Sequence, residues 1–191
     1  MTIAWATHDR ELEIQAYGLL GNIQYSLEEY DLALKYVKHK LTISQDIGDK
    51  HSESTALGDL GNIYYITGDY SQSVDCSQKQ LKIARDIGAQ WNEGMALNNL
   101  GDTLSKLERY LEAGNYLQSA REIFEELGDL NALAATLVNL AELYQKLGQL
   151  EQAMKYCNEA LAIATELNIP LLHNCQEQAA QLSVSTFQSK S

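Results

Sequence analysis

Asn22, Asn62, Asp102 and Glu142 stand forty residues apart, and Tyr25 and Tyr65 repeat at the same interval. An asparagine amide offers one acceptor and two donors, and tyrosine gives rigid amphipathic contact area at small entropic cost. That is recognition chemistry, not bond-making chemistry. Groups able to make or break bonds are scarce and scattered. The four histidines, His8, His39, His51 and His173, lie far apart and read as turn residues or residues on outward helix faces. Within His173-Asn174-Cys175 the imidazole and thiol are two positions apart, and such residues do not face each other on a helix. Cys76 and Cys157 fall where other copies of the pattern carry Tyr36 or Leu117, so they read as packing residues. Adjacent carboxylates such as Glu28-Glu29 and Glu125-Glu126 splay apart on a helix and read as solvated surface. No phosphate-binding glycine loop, His-Glu-x-x-His, Cys-x-x-Cys or calcium-loop pattern occurs. These residues point away from an enzyme, and no metal or cofactor is expected.

Composition narrows the choice further. The 191 residues are 45% apolar, enough to bury a sizeable core. Lys and Arg sum to 14 against 26 Asp and Glu, a formal charge of −12. So acidic a chain lacks the basic footprint of a nucleic-acid or anionic-membrane binder and favours neutral or basic partners. No apolar run approaches the roughly eighteen residues of a bilayer span, and residues 1–13 lack the basic start and apolar core of a secretory signal. Three widely spaced cysteines argue for a reducing, cytoplasmic compartment. A single proline, Pro170, follows a proline-free stretch rich in Leu, Ala, Gln and Glu. That composition is all-α.

The forty-residue spacing extends well beyond the polar residues. Leu20-Gly21-Asn22, Leu60-Gly61-Asn62, Leu100-Gly101-Asp102 and Leu140-Ala141-Glu142 are successive copies. Tyr30, Tyr70, Tyr110 and Leu150 follow, then Ala33, Ser73, Ala113 and Ala153, then Ile43, Ile83, Ile123 and Ile163. Each copy divides into two helical stretches separated by a tight turn, seen as Gly68-Asp69-Tyr70 and Gly148-Gln149-Leu150. Gly48, Gly88 and Gly128 close the second helices, with Asn168 in the same place in the last copy. The small residues Gly21, Gly61, Gly101 and Ala141 are expected where a first helix meets its own partner, facing the row of Ala33. A hairpin of this length cannot bury its apolar face alone, so copies must stack.

The Leu-Gly-Asn, Gly-Asp-Tyr and Ile-Ala-Arg-Asp-Ile-Gly elements resemble the tetratricopeptide repeat in its forty-residue variety, over residues 13–168. That variety is found in kinesin light chain, in Leu-Gly-Asn-rich modulators of G-protein signalling and in bacterial signalling proteins. The resemblance implies a right-handed superhelix of antiparallel helix pairs whose first helices line a concave groove. It divides the chain into the end of a preceding helix (1–9), four repeats (10–49, 50–89, 90–129 and 130–169), a cap helix (170–182) and a frayed tail (183–191). Residues 1–9 align with the last turns of a second helix, so the chain reads as a fragment of a longer array or a protein that begins mid-repeat.

Once such a groove is granted, its inward residues follow by register. They are Gln15, Gly18, Asn22, Tyr25 and Ser26, then Thr55, Gly58, Asn62, Tyr65 and Ile66. Asn98, Asp102 and Lys106 continue the stripe, then Glu142 and Lys146, with Asn99 and Asn139 beside it. Two roles are open to Asn22 and Asn62: hydrogen bonds between repeats, or contact with a ligand. Gly18 and Gly58 make room either for a ligand backbone or for a neighbouring helix. The clamp of cations that related domains use on acidic chaperone C-terminal tails has no counterpart at its matching places, which hold Gln15, Gly18, Asn22, Thr55, Gly58, Asn62, Met95, Asn98 and Asp102. The expected partner is a protein or peptide, neutral to basic, with an apolar anchor, bound by a scaffold or sensor segment. The rival readings are a homodimer through the N-terminal partial repeat and a regulatory segment of a larger signalling protein.

Overall fold

The computed structural model describes residues 2–167, with side chains from Asp9 onward. Every regular element among them is α-helix: α1 (Thr2–Ser26), α2 (Tyr30–Ile47), α3 (Lys50–Ile66), α4 (Tyr70–Ile87), α5 (Gln90–Lys106), α6 (Tyr110–Leu127), α7 (Leu130–Lys146) and α8 (Leu150–Leu167). Asn168, the expected cap helix and the tail lie outside the described residues. No helix among the described residues is long and apolar enough to cross a membrane.

Local chemistry sets the helix ends. Gly48, Gly88 and Gly128 follow the second helices with φ of +74°, +69° and +67°, the left-handed conformation glycine adopts without penalty. Asp49 and Asp129 then accept a hydrogen bond from the backbone N–H of Ser52 and of Ala132, both at 3.0 Å, and cap the following helices. One expected end does not form. Residues 1–9 were to be a separate helix tail, but α1 runs unbroken from Thr2 through His8 and Asp9 to Ser26. The reason lies in one residue: the register that puts Gly48 at the end of α2 puts His8 here, and a side chain there favours continuing the helix.

The helices pair α1 with α2, α3 with α4, α5 with α6 and α7 with α8, and each second helix also packs on the next first helix. First helices touch their successors, α1 to α3, α3 to α5 and α5 to α7, whereas no second helix packs comparably on the next. The stack is therefore tighter on the side of the first helices, which form its inner wall.

Small and large residues alternate across each helix pair. A Cβ built on Gly21 would lie 2.8 Å from Val37 Cγ2, and one on Gly101 would lie 2.7 Å from Leu117 Cδ2. The corresponding distance at Gly61 is 3.1 Å, to Ser77 Oγ. In the fourth repeat Cys157 takes the place of Leu117, and there the first helix carries Ala141, buried in the same cluster. The Ala33 row does face these glycines, through the carbonyls of Ala33, Ser73 and Ala113. The side chains that set the limit come one turn later. Gly18 and Gly58, expected on the inner wall, face the paired helix too. A Cβ on Gly58 would stand 2.7 Å from Gln80 Nε2, and one on Gly18 would stand 3.6 Å from Lys40 Cδ. Their room is for a neighbouring helix. The next row follows the same rule, with Gly94 under the ring of Phe124 at 2.8 Å.

Gly101→Ala should overpack against Leu117 at a cost of about 1–3 kcal/mol, less about 1 kcal/mol gained in helix propensity. Urea denaturation should show a net loss for Gly101→Ala and almost none for Gly61→Ala. Adding Leu117→Cys, the pairing found in the fourth repeat, should recover about 1 kcal/mol of coupling in a double-mutant cycle. Strict additivity of the two changes would show that this contact does not set the helix spacing.

Candidate functional site

The inner wall carries the polar residues singled out by the forty-residue spacing, and the structure divides them into two groups. Asn98 and Asn139 serve the stack itself: Asn139 Nδ2 donates to Asn98 Oδ1 at 3.0 Å, from α7 to α5. Asn92 of α5 does similar work deeper in, donating to Ser54 Oγ of α3 at 3.2 Å. Asn22 and Asn62 make no such bond among the described residues, so the inter-repeat role weighed for them falls to other residues. Gln15 and Asn22 are exposed on α1, and Thr55 is partly buried with its hydroxyl donating to the Ser52 carbonyl at 3.0 Å.

Two small cavities run along this wall. The first, of about 110 Å³, is lined by Gly21, Asn22, Tyr25, Val37, Asp59, Asn62 and Ile63. The second, of about 40 Å³, is lined by Asn62, Tyr65, Ser73, Asn99, Asp102 and Thr103. Asn62 borders both. The first is several times the volume one water needs and accepts a small apolar group. Tyr25 lines the first and Tyr65 the second, each against the tyrosine that begins the paired helix. Tyr25 meets Tyr30 edge-on at 5.9 Å, and Tyr65 meets Tyr70 at 5.8 Å.

Beyond Asn62 the wall becomes charged, and its charges are coupled across repeats. The Tyr65 hydroxyl donates toward the Asp102 carboxylate, and burial beside that carboxylate pushes the phenol far above its ordinary range. Burial also raises Asp102, against the opposing pull of Tyr65 and Lys106, and Glu142 adds to the rise. Lys106 lies 5.7 Å over the Tyr65 ring, and Lys146 donates to the carbonyl and hydroxyl of Ser105 at 3.3 Å. These lysines partly offset the acidity that the register of Asp102 and Glu142 suggests. Their spacing, one helical turn after each carboxylate, was the available signal. Asp59 was missed altogether; it receives Lys40 Nζ at 2.8 Å, and Lys40 reaches it along the lane that Gly18 leaves open.

A further cavity lies away from this wall. Its volume is about 430 Å³; it is bounded by α2, α3 and α4 and lined by Leu41, Leu57, Ile83 and Ile87 together with Lys50, Lys79 and Lys82 and the acids Glu53 and Asp86. Bond-making groups are not gathered at any of these places. The Cys76 thiol is buried, and burial pushes it up to about 11, so it stays protonated and inert at neutral pH. The described residues hold no cluster of three or more His, Cys, Asp or Glu suited to a metal ion. His173 and Cys175 lie outside the described residues.

A raised folded-state pKa at Asp102 means that the fold binds a proton more readily than the unfolded chain. Stability from this group therefore falls as pH rises from the ordinary aspartate range through the raised value. Asp102→Asn keeps an acceptor for Tyr65 and removes the buried charge. Thermal melts should show the variant more stable than the parent at neutral pH, with the gap closing in acid. A gap independent of pH would mean that Asp102 is not strained by burial.

Comparison with known proteins agrees with this architecture. The family model for the tetratricopeptide repeat matches residues 9–86 and 92–166. No curated protein matches the chain. Among solved structures, BtubC from P. vanneervenii superposes with a TM-score of 0.82 at 19% identity, over 96% of this chain and 78% of that one. A Rap protein complexed with competence and sporulation factor gives 0.83 at 19% identity, over 94% of this chain but 50% of its own. A signal transduction ATPase with numerous domains and a tetratricopeptide repeat sensor, from Pyrococcus horikoshii, gives 0.77 at 24% identity, over 96% of this chain and 29% of its own. At such identities the likeness speaks for the fold, and together with the family match over both halves it establishes that this chain belongs to the tetratricopeptide repeat family.

Proposed function

We propose that the chain is a peptide- or protein-binding module, a scaffold or sensor segment, that holds its partner against the inner wall of first helices. The observation carrying this reading is Asn62, whose amide borders both inner-wall cavities. A peptide laid along α1, α3 and α5 would offer backbone groups to Asn22, Asn62 and Asn99. It would place one small apolar side chain in the cavity beside Tyr25. The partner's charge is neutral to basic, because Asp102 and Glu142 follow in the direction of α5 and α7 and the chain carries −12 overall. Acidic chaperone tails do not suit this wall. A Rap protein is crystallised with competence and sporulation factor, and the Pyrococcus ATPase carries a tetratricopeptide repeat sensor, which supports reading this fold as an interaction or sensor module. The compartment that fits best is the cytoplasm.

The cavity lined from α2, α3 and α4 supports a second seat, on the outer wall, for an apolar segment; the lysines around it, Lys50, Lys79 and Lys82, are already paired with Glu53, Asp75 and Asp86. One experiment separates the two. Peptides selected from a random displayed library on the immobilised chain should lose at least tenfold in affinity to the Asn22→Ala, Asn62→Ala variant, about 1.4 kcal/mol. They should be indifferent to Ile83→Glu. The stability of the asparagine variant should stay within about 1 kcal/mol of the parent, since Asn22 is exposed, Asn62 only half-buried, and neither side chain makes a hydrogen bond among the described residues. Selected peptides that ignore both asparagines and fail on Ile83→Glu would move the site to the outer wall.

A further inference from the structure

The smaller inner-wall cavity, of about 40 Å³, has no apolar residue in its lining, whereas the larger one beside it has Val37 and Ile63. It lies where α3, α4 and α5 meet, between Asn62 and Tyr65 of α3, Ser73 of α4, and Asn99, Asp102 and Thr103 of α5. Two of these polar residues stand where the forty-residue register otherwise holds apolar ones. Ser73 shares its row with Ala33, Ala113 and Ala153, and Thr103 shares its row with Ile23, Ile63 and Leu143. Both are 1% exposed. A buried hydroxyl costs free energy that a methyl group does not, unless it is bonded.

The bonds these hydroxyls make use up their protons. Thr103 Oγ1 donates to the Asn99 carbonyl at 2.7 Å, so in the 3.0 Å contact between Ser73 Oγ and Thr103 Oγ1 the donor is Ser73. The Tyr65 hydroxyl donates to Asp102. What the cavity is left with is acceptors: lone pairs on Ser73 Oγ and the Tyr65 oxygen, the Asp102 carboxylate, and the amide oxygens that Asn62 and Asn99 can turn inward. Burial raises the Asp102 carboxyl even though Tyr65, Lys106 and Lys146 pull the other way, and neither lysine forms an ion pair with it among the described residues. A space of about 40 Å³ takes one group the size of a water molecule. A primary ammonium has that size, a full positive charge and three donors, whereas a planar guanidinium is larger than the space.

We propose that this cavity seats one primary ammonium group of the bound partner, a lysine side chain or the free amino end of a peptide. Resting on the inner-wall reading given above, the seat adds a charged anchor on α3 and α5 to the apolar one beside Tyr25. The Asp102 carboxylate supplies the opposite charge, and Ser73, Asn62 and Asn99 accept the remaining N–H groups. The Tyr65 ring forms a rim that already faces a cation, since Lys106 Nζ lies 5.7 Å from its centre. Lys106 is exposed at the end of α5 and is the resident competitor for the same place.

Synthetic copies of the peptides selected on the immobilised full chain provide the test. Replacing each lysine by norleucine in turn, or acetylating the amino end, removes one ammonium at a time, and one of these changes should cost about tenfold or more in affinity. Which change does so identifies the source as a side chain or a chain end. The loss should vanish in Asp102→Asn, which should bind the charged and the neutralised peptide alike. Ser73→Ala, the residue of the other three repeats, should lessen it independently. Lys106→Met should tighten the charged peptide and leave the neutralised one unchanged. If the group is a lysine, arginine in its place should not restore binding; equal binding by the arginine peptide would overturn the assignment to an ammonium. Peptides that weaken on the Asn22→Ala, Asn62→Ala variant yet show no coupling between any ammonium and Asp102 would overturn the seat and leave the inner wall as the binding face. Peptides that ignore both asparagines and fail on Ile83→Glu would overturn the two together.

Discussion

Two helices can run side by side at close range only if every bulky side chain on one meets a small one on the other, and this constraint organises the whole molecule. It operates rung by rung. Gly21 meets Val37 and Gly101 meets Leu117, while Cys157 leaves room for Ala141. On the next rung Gly18 meets Lys40 and Gly58 meets Gln80, and the register then pairs Asn98 with Ala120 and Val138 with Ala160. Gly94 yields to Phe124 on a third. Most of these pairs set a small residue against a larger one while residue identity changes; Gly61 opposite Ser77 is the exception. That is how four hairpins of different sequence hold one spacing, and stacking then buries them as a continuous core.

Constant spacing has a consequence for the inner wall. The first helices touch one another there, so residues on that side are held at fixed separations by helices that cannot shift independently. Asn139 bonding to Asn98 and Lys146 reaching Ser105 lock α7 to α5, and Tyr65 facing Asp102 ties α5 to α3. Between α1 and α3 the wall has cavities and amides in place of such ties. The third and fourth repeats therefore form a braced platform. The cavities and unpaired amides lie toward the first and second.

The second repeat is the least well satisfied of the four. Ser77 and Gln80 sit on the face of α4 that meets α3, where other repeats have Val37, Leu117, Ala120 and Ala160. Ser77 Oγ and Gln80 Oε1 are buried with no hydrogen-bond partner among the described residues. Unpaired buried polar atoms cost free energy, so the pairing of α3 with α4 is weakened by Ser77 and Gln80. Those are the helices that carry Asn62 and Tyr65.

Periodicity by itself determined the number of hairpins, their boundaries at Lys50, Gln90 and Leu130, and the glycines that end the second helices, because these depend on backbone conformation and on a spacing visible in one dimension. It also marked Asn22, Tyr25, Asn62, Tyr65, Asp102 and Glu142 as a row sharing one helix face. Only the tertiary structure decided what that face touches. Gly18 and Gly58 belong to the same helices, yet they turn toward the paired helix, where the length of Lys40 and Gln80 requires them. Asn98 and Asn139 look like ligand-binding amides until the fold brings them within 3.0 Å of each other. The continuity of α1 past His8 rests on a glycine that is missing. A side chain's register is local, but its neighbour comes from forty residues away, and only the packed array fixes which neighbour that is.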